Sequence, residues 1–501
     1  MIIPFLLGIL PIAWLAVGLL ALKLPAFKAA AGSLLIAAVL SVLYWKMPVP
    51  AMLLSALEGL LMALWPIILV ILAAVFTYRL CLRTGAMDMI RQMILSVSSD
   101  RRVLLLLIAW CFGGFMEGMA GFGTAIAIPA GMLTAVGFDP ILSCLACLIA
   151  NGTPTPFGSL GIPTITLAGL VGLDSLNLAA MSTLQLALFS FACPFLIVML
   201  AGRGIKSLKG VTALTAVSAA AFVIPQYVVA RFVGAELAVI SGSLCSLAGT
   251  VFMAKHVKPQ EEYMMESGSK ELPPMPEVMK ACAPFLLIIV LLLLTSKLVA
   301  PISNVLSSVS STVTLQGTLT FSWINTPGVW IFLSALIGGY IQGARLNDFK
   351  IVLLETLKQM KETMLTIISV LACAKIMGYA GMIADIAAFA IGVTGSFYPL
   401  IAPWIGALGT FVTGSGTNSG VLFGAVQMQA AKTLEIDPYW MVALNSLGVA
   451  AGKMISPQSL AIGLSAVGEK GRDAELLKRV LPYAMVFLVL MSVVAYAGSF
   501  L

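Results

Sequence analysis

Histidine occurs once in 501 residues, at His256 in a polar stretch, and charged residues make up only 10% of the chain. The single imidazole lies outside every apolar segment, so histidine-based catalysis has no candidate there. No HExxH or GxSxG sequence is present, which argues against an intramembrane enzyme. No GxxxxGKS/T loop is present either, which argues against an ATP-driven pump. Cysteine is sparse, with eight residues. Cys144 and Cys147 form a CxxC inside the apolar "DPILSCLACLIAN", with no second Cys/His pair nearby. They read as small buried hydrophobes rather than metal ligands. No cofactor and no metal is expected.

What the chain has is hydrocarbon: 60% of its residues are hydrophobic. A soluble protein of this size carries about 25% charged residues. Apolar runs of about 20 residues recur from end to end, each long enough to cross about 30 Å of lipid. An all-α polytopic protein embedded in a lipid bilayer follows. The first run, "IIPFLLGILPIAWLAVGLLAL", has no basic residue before it, and Lys23 and Lys28 come after. A cleaved signal peptide shows the reverse order, so this run reads as a span. The net charge of +7 fits basic cytoplasmic loops and gives no reason to expect nucleic acid.

Basic residues gather at Lys23/Lys28, Arg79 to Arg102, Arg203 to Lys209, Lys255 to Lys280, Arg345 to Lys361 and Lys470 to Arg479. The segment 301–326 carries no charge and many Ser and Thr. Placing the basic loops in the cytoplasm yields about twelve spans. They lie near 2–22, 29–45, 59–79, 140–172, 176–200, 210–230, 234–254, 282–300, 327–344, 363–379, 438–467 and 480–501. Two stretches remain, 103–137 and 399–434, and parity requires each to return to its starting side. They read as re-entrant hairpins, and both termini fall outside.

The two halves resemble each other. Trp110 and Trp404, Asn151 and Asn445, Gly158 and Gly452, and Pro163 and Pro457 all stand 294 residues apart. Arginines crowd the stretch from Arg79 to Arg102, whereas the matching "GYAGMIADIAAFAIGVTGS" has no Lys or Arg. The repeats are therefore expected to be inverted, a pattern of secondary transporters that hold substrate near the midplane. The first repeat spans 1–200, with hairpin 103–137 and broken helix 140–172. Linker helices and a cytoplasmic loop fill 201–281. The second repeat spans 282–501, with hairpin 399–434 and broken helix 438–467.

Four Gly-, Pro-, Ser- and Thr-rich breaks then face one another. Glycine admits a ligand close to the backbone, proline frees carbonyls, and helix N-termini favour an anion. A small carboxylate is the expected substrate class. The candidate contacts are Gly121, Gly123, Thr124, Asn151, Thr153, Thr155, Ser415, Thr417, Asn418, Ser419, Asn445, Lys453, Ser456 and Gln458. Intramembrane charges are expensive and usually functional, which singles out Glu117 and Lys453. The rival reading pairs those two residues structurally. Gly158 and Gly448 also read as helix-packing positions. Lys375 lies nearer the outer end of its span, within snorkelling reach.

"FMEGMAGFGTAIAI", "LIANGTPTPFGSLGIP", "TGSGTNSGVLFGAVQ" and "AGKMISPQS" together resemble the L-lactate permease family, in blocks from Arg79 to Gly468. The resemblance implies a bacterial inner-membrane importer of L-lactate, D-lactate and glycolate with protons, related to inverted-repeat carriers of the elevator type. Monomer and homodimer both stay open. The second hairpin tip departs from the family pattern: Gly416 and Gly420 stand where Asp and Asn are usual. Ala125 replaces a usual Pro. Glu117 is then the remaining carboxylate at a hairpin tip and the expected proton carrier. Sodium coupling, another small carboxylate and a small-anion channel are the alternatives.

Overall fold

The computed structural model describes residues 2–500 except 122, 203, 259, 266–272 and 470. Phe122 of the first tip and Arg203, Lys270 and Lys470 of the basic loops thus lie outside the described residues. Helix dominates, as an apolar chain with few charges requires. Among the described residues, eleven helices are long and apolar enough to cross a membrane. The number is twelve if Pro140–Gly152 and Thr155–Val171, bent by 62°, form one span.

The stretch read as a first hairpin is two helices, Arg101–Met119 and Thr124–Val136. Arg101–Met119 is itself long enough to span, yet all of its apolar window is buried. Protein, not lipid, surrounds it. The second hairpin is Tyr398–Thr413 followed by Gly416–Leu434. Pro438–Ile455 and Pro457–Ala466 form the second broken helix. The half-helix Gly158–Val171 packs on Gly416–Leu434, and Pro457–Ala466 packs on Thr124–Val136. Each half-helix therefore leans on the hairpin arm of the other half.

Small residues allow these contacts. A Cβ at Gly448 would meet the Pro403 carbonyl, and one at Gly452 the Ala407 carbonyl. Gly406 abuts the Asn445 backbone in the same way. Helices Tyr398–Thr413 and Pro438–Ile455 thus touch backbone to backbone, the packing expected of small residues in lipid. The helix Ala235–Ala254, in the stretch read as linker helices, packs on the first hairpin and on the first broken helix. Gly118 leaves room for Ile240, and Gly161 for Ala235.

Ion pairs align the ends of the bundle. Arg79 meets Glu355 at 3.0 Å and Arg83 meets Asp348 at 2.7 Å. The basic segments 79–102 and 345–361 therefore share one face of the bundle. Arg102 is buried beneath that face. It pairs with Asp100 at 2.7 Å, donates to the Ser207 and Lys209 carbonyls, and lies 4.0 Å from the Tyr263 ring centroid. This cluster pins the start of the first hairpin.

Helix Leu346–Ala380 has 35 residues. At 1.5 Å per residue that is about 52 Å, well beyond the hydrocarbon thickness. Its charged first half projects from the basic face as helix, not as loop. Near its other end Lys375 does not snorkel. Its ammonium pairs with the Glu58 carboxylate at 2.8 Å. Tyr379 Oη and the Gly317 N–H donate to the same carboxylate, at 2.9 and 2.7 Å. Gly317 belongs to the turn joining strands Ser310–Thr314 and Thr318–Ser322, a β-hairpin inside the charge-free segment. Trp65 Nε1 donates to the Ser322 carbonyl at 3.0 Å and fastens the hairpin's other edge.

Glu58 is thus a buried staple with three partners. Glu58→Ala leaves an unpaired ammonium behind and is expected to cost about 3–5 kcal/mol. The check is the melting temperature of the detergent-solubilised protein. A variant that melts with the wild type would remove the staple.

Candidate functional site

The first hairpin turns at Gly121 and Gly123, whose φ angles of +57° and +86° suit glycine. Thr124 Oγ1 closes the turn by donating to the Gly121 carbonyl at 2.7 Å. In the first broken helix, Ser159, Leu160 and Gly161 are all left-handed, with φ of 47°, 57° and 77°. Two successive non-glycine residues there mark strained backbone, which concentrates at functional sites. Ser159 Oγ holds the strained turn to the Ala120 carbonyl at 2.7 Å. The second hairpin turns at Gly414, with φ +66°, and Ser415 caps the next helix by accepting from the Asn418 N–H. The second broken helix is gentler: Ser456 alone is extended, before Pro457 restarts the helix.

Between these breaks lies a cavity of about 350 Å³. Of the residues expected from the sequence, Glu117, Gly121, Thr155, Ser415, Thr417, Asn418, Lys453 and Gln458 line it. Gly123, Thr124, Asn151, Thr153, Ser419, Asn445 and Ser456 do not. Ser419 Oγ is occupied by the Gly406 carbonyl at 2.7 Å. Asn151, Thr153, Asn445 and Ser456 are buried around the breaks, with side-chain polar atoms that no hydrogen bond satisfies.

Lys453 reaches the cavity from helix Pro438–Ile455. Its ammonium donates to the Gly414 carbonyl at 2.9 Å, tying the second break to the second tip. Glu117 is 3% exposed, and its Oε2 has no hydrogen-bond partner. A Cβ at Gly158 would collide with Glu117 Oε1, so this glycine makes room for the carboxyl group. No described ion pair joins Glu117 to Lys453 within 4.0 Å. They share one cavity without touching. The starts of helices Gly416–Leu434 and Pro457–Ala466 also line it, through Thr417, Asn418 and Gln458. Two helix N-termini and one ammonium make a favourable seat for an anion.

One wall was not anticipated. Gln359, Glu362, Thr363 and Thr366 of helix Leu346–Ala380 face the same cavity. Their spacing of i, i+3, i+4 and i+7 puts them on one helix face. Gly416 also lines it; a Cβ there would stand 2.9 Å from Val449 Cγ1 and 3.3 Å from Thr155 Cγ2. A larger side chain would have to displace both.

This arrangement of paired tips and breaks occurs where the sequence signatures stand, and a family model named L-lactate permease matches residues 4–501. The chain belongs to the L-lactate permease family. It is 40% identical to an L-lactate permease of Streptococcus iniae, over 88% of this chain and 94% of that protein. It is 30% identical to the glycolate permease GlcA of Escherichia coli (strain K12), over 99% of this chain and 95% of that one. The fold is similar to that of Neisseria gonorrhoeae MtrF, described as one of a class of antimetabolite efflux pumps. There the TM-score is 0.51 and the identity 14%, over 95% of each chain. That identity speaks for the fold alone. Membership makes the chain a multi-span permease of the L-lactate permease family.

Proposed function

We propose that this permease imports L-lactate and related short 2-hydroxy acids, D-lactate and glycolate, together with protons across the bacterial inner membrane. One observation carries the reading: Lys453, Gly414 and two helix N-termini converge on a cavity between the two hairpins. The substrate carboxylate sits against Lys453 and the N–H groups opening Gly416–Leu434, with hydroxyls and amides of Thr155, Ser415, Thr417, Asn418 and Gln458 around it. Gly121 lets the backbone approach. Gly123, Thr124, Asn151, Thr153, Ser419, Asn445 and Ser456 shape the breaks. Glu117 carries the proton.

The halves act as inverted repeats, 1–200 and 282–501, and the hairpins and broken helices move together as an elevator. The mutual packing of half-helices and hairpin arms supports such a unit. The basic face is cytoplasmic and both termini lie outside.

A sodium-coupled variant is the second reading. It is favoured by the unsatisfied oxygens of Asn151, Thr153, Asn445 and Ser456, which suit a hard cation. Uptake of labelled L-lactate into proteoliposomes separates the two, with glycolate, pyruvate and acetate as competitors. Accumulation under an inward proton gradient without sodium is the expected result. Accumulation only under a sodium gradient favours the second reading, and gradient-independent leakage denotes a channel.

A further inference from the structure

We infer that Glu362 exchanges the transported proton between water and the cavity at its basic mouth; the inference rests on the proton-coupled reading above. Glu362 lines the cavity that holds Glu117 and Lys453. Unlike Glu117, it is exposed. It stands about 27 Å from the Ala380 end of its helix at 1.5 Å per residue. That length nearly equals the hydrocarbon thickness of about 30 Å. Glu362 therefore sits where the helix leaves the membrane, toward the Arg79–Glu355 and Arg83–Asp348 pairs.

Lys358 and Lys361 flank Glu362 in the sequence, yet no described ion pair within 4.0 Å holds it. The step balances simply. The Glu362 carboxylate takes H⁺ from water, then passes it through cavity water to the Glu117 carboxylate and regains its own charge. A cavity of about 350 Å³ has room for such waters, since one water occupies about 30 Å³ of liquid.

The charges around Glu362 leave it free for this work. Across the cavity stand Glu117 and Lys453. Lys28 stands two residues from Ala26, which lines the same cavity. Among the other elements packed on the long helix, Arg79 and Arg83 are engaged by Glu355 and Asp348. Glu58 is engaged by Lys375, and Asp385 accepts from Trp45 Nε1 at 2.9 Å. The helix Gly416–Leu434 carries only Lys432, near its far end.

The test compares wild type and Glu362→Gln in proteoliposomes, measuring initial rate and final accumulation of labelled L-lactate across pH. A relay changes the rate of proton capture, not the coupling ratio. Glu362→Gln is expected to slow gradient-driven uptake about tenfold near pH 8 and less than about twofold near pH 5.5, with unchanged final accumulation. Glu362→Asp restores the rate. A flat pH response equal to the wild type overturns the inference, as does a lasting loss of accumulation, which would make Glu362 the carrier itself. A raised KM at every pH overturns it too, since that denotes substrate contact. If the wild type takes up no lactate or glycolate under any proton gradient, the proton-coupled reading falls and the inference with it; the other outcomes leave that reading standing.

Discussion

Glu117→Gln is expected to abolish accumulation of lactate against its gradient while lactate–lactate exchange continues. Glu117 is the enclosed carboxyl group of the cavity, and its Oε2 has no hydrogen-bond partner. Gln has nearly the same shape, so the space that Gly158 leaves for the side chain stays filled. What disappears is the ability to alternate between charged and neutral forms, the property a proton carrier needs. Proteoliposomes with an imposed proton gradient supply the measurement. The ratio of internal to external lactate should fall from well above one to about one, while counterflow keeps at least about a third of its rate. A variant that still concentrates lactate shows that another group carries the proton.

Lys453→Gln is expected to weaken lactate binding by about 1.5–3 kcal/mol, the usual contribution of a hydrogen bond to a charged group. That is roughly a tenfold to 150-fold rise in Kd. The ammonium donates to the Gly414 carbonyl; the glutamine side chain is one bond shorter and weakens that bond, yet it leaves no charge unpaired. Folding should therefore survive. The structural-pair reading of Lys453 requires contact with Glu117, and no described ion pair joins them. Calorimetric titration with L-lactate, run beside a melting curve, distinguishes the roles. A lowered melting temperature recovered in the Glu117→Gln/Lys453→Gln double variant would revive the pair. Unchanged affinity and unchanged stability would leave Lys453 with neither role.

The breaks were readable because their causes are local. Gly121, Gly123 and Gly414 adopt positive φ where the sequence places isolated glycines at hairpin tips. Pro457 interrupts a helix for the same reason anywhere in a chain. Lys453 stood out because an ammonium amid small apolar residues has no ordinary explanation. Other features depend on distant partners. Lys375 looked able to snorkel until Glu58, 317 residues earlier, proved to be its counter-ion. The wall of Gln359, Glu362, Thr363 and Thr366 lies on a helix whose first half reads as a charged loop. Nothing local says which of its faces meets the cavity. Asn151 and Asn445 matched across the halves, yet they sit around the breaks rather than in the cavity lining. The β-hairpin carried a usable signal. "STVTL" and "TLTFS" alternate polar and apolar residues around Gln316-Gly317. Counting charges alone passed over it.

Whether a carboxylate occupies this cavity is tested most directly by substrate protection at Thr417, which lines it beside Lys453. Thr417→Cys can be placed in a protein whose exposed Cys245 and half-buried Cys282 are Ser. The rate of its modification by a small water-soluble maleimide is then followed with and without ligand. Saturating L-lactate should slow modification at least about fivefold, while lactamide, which has the same shape without the charge, should not. Equal rates with L-lactate, with lactamide and with neither would contradict a carboxylate seat at Lys453 and the second hairpin tip.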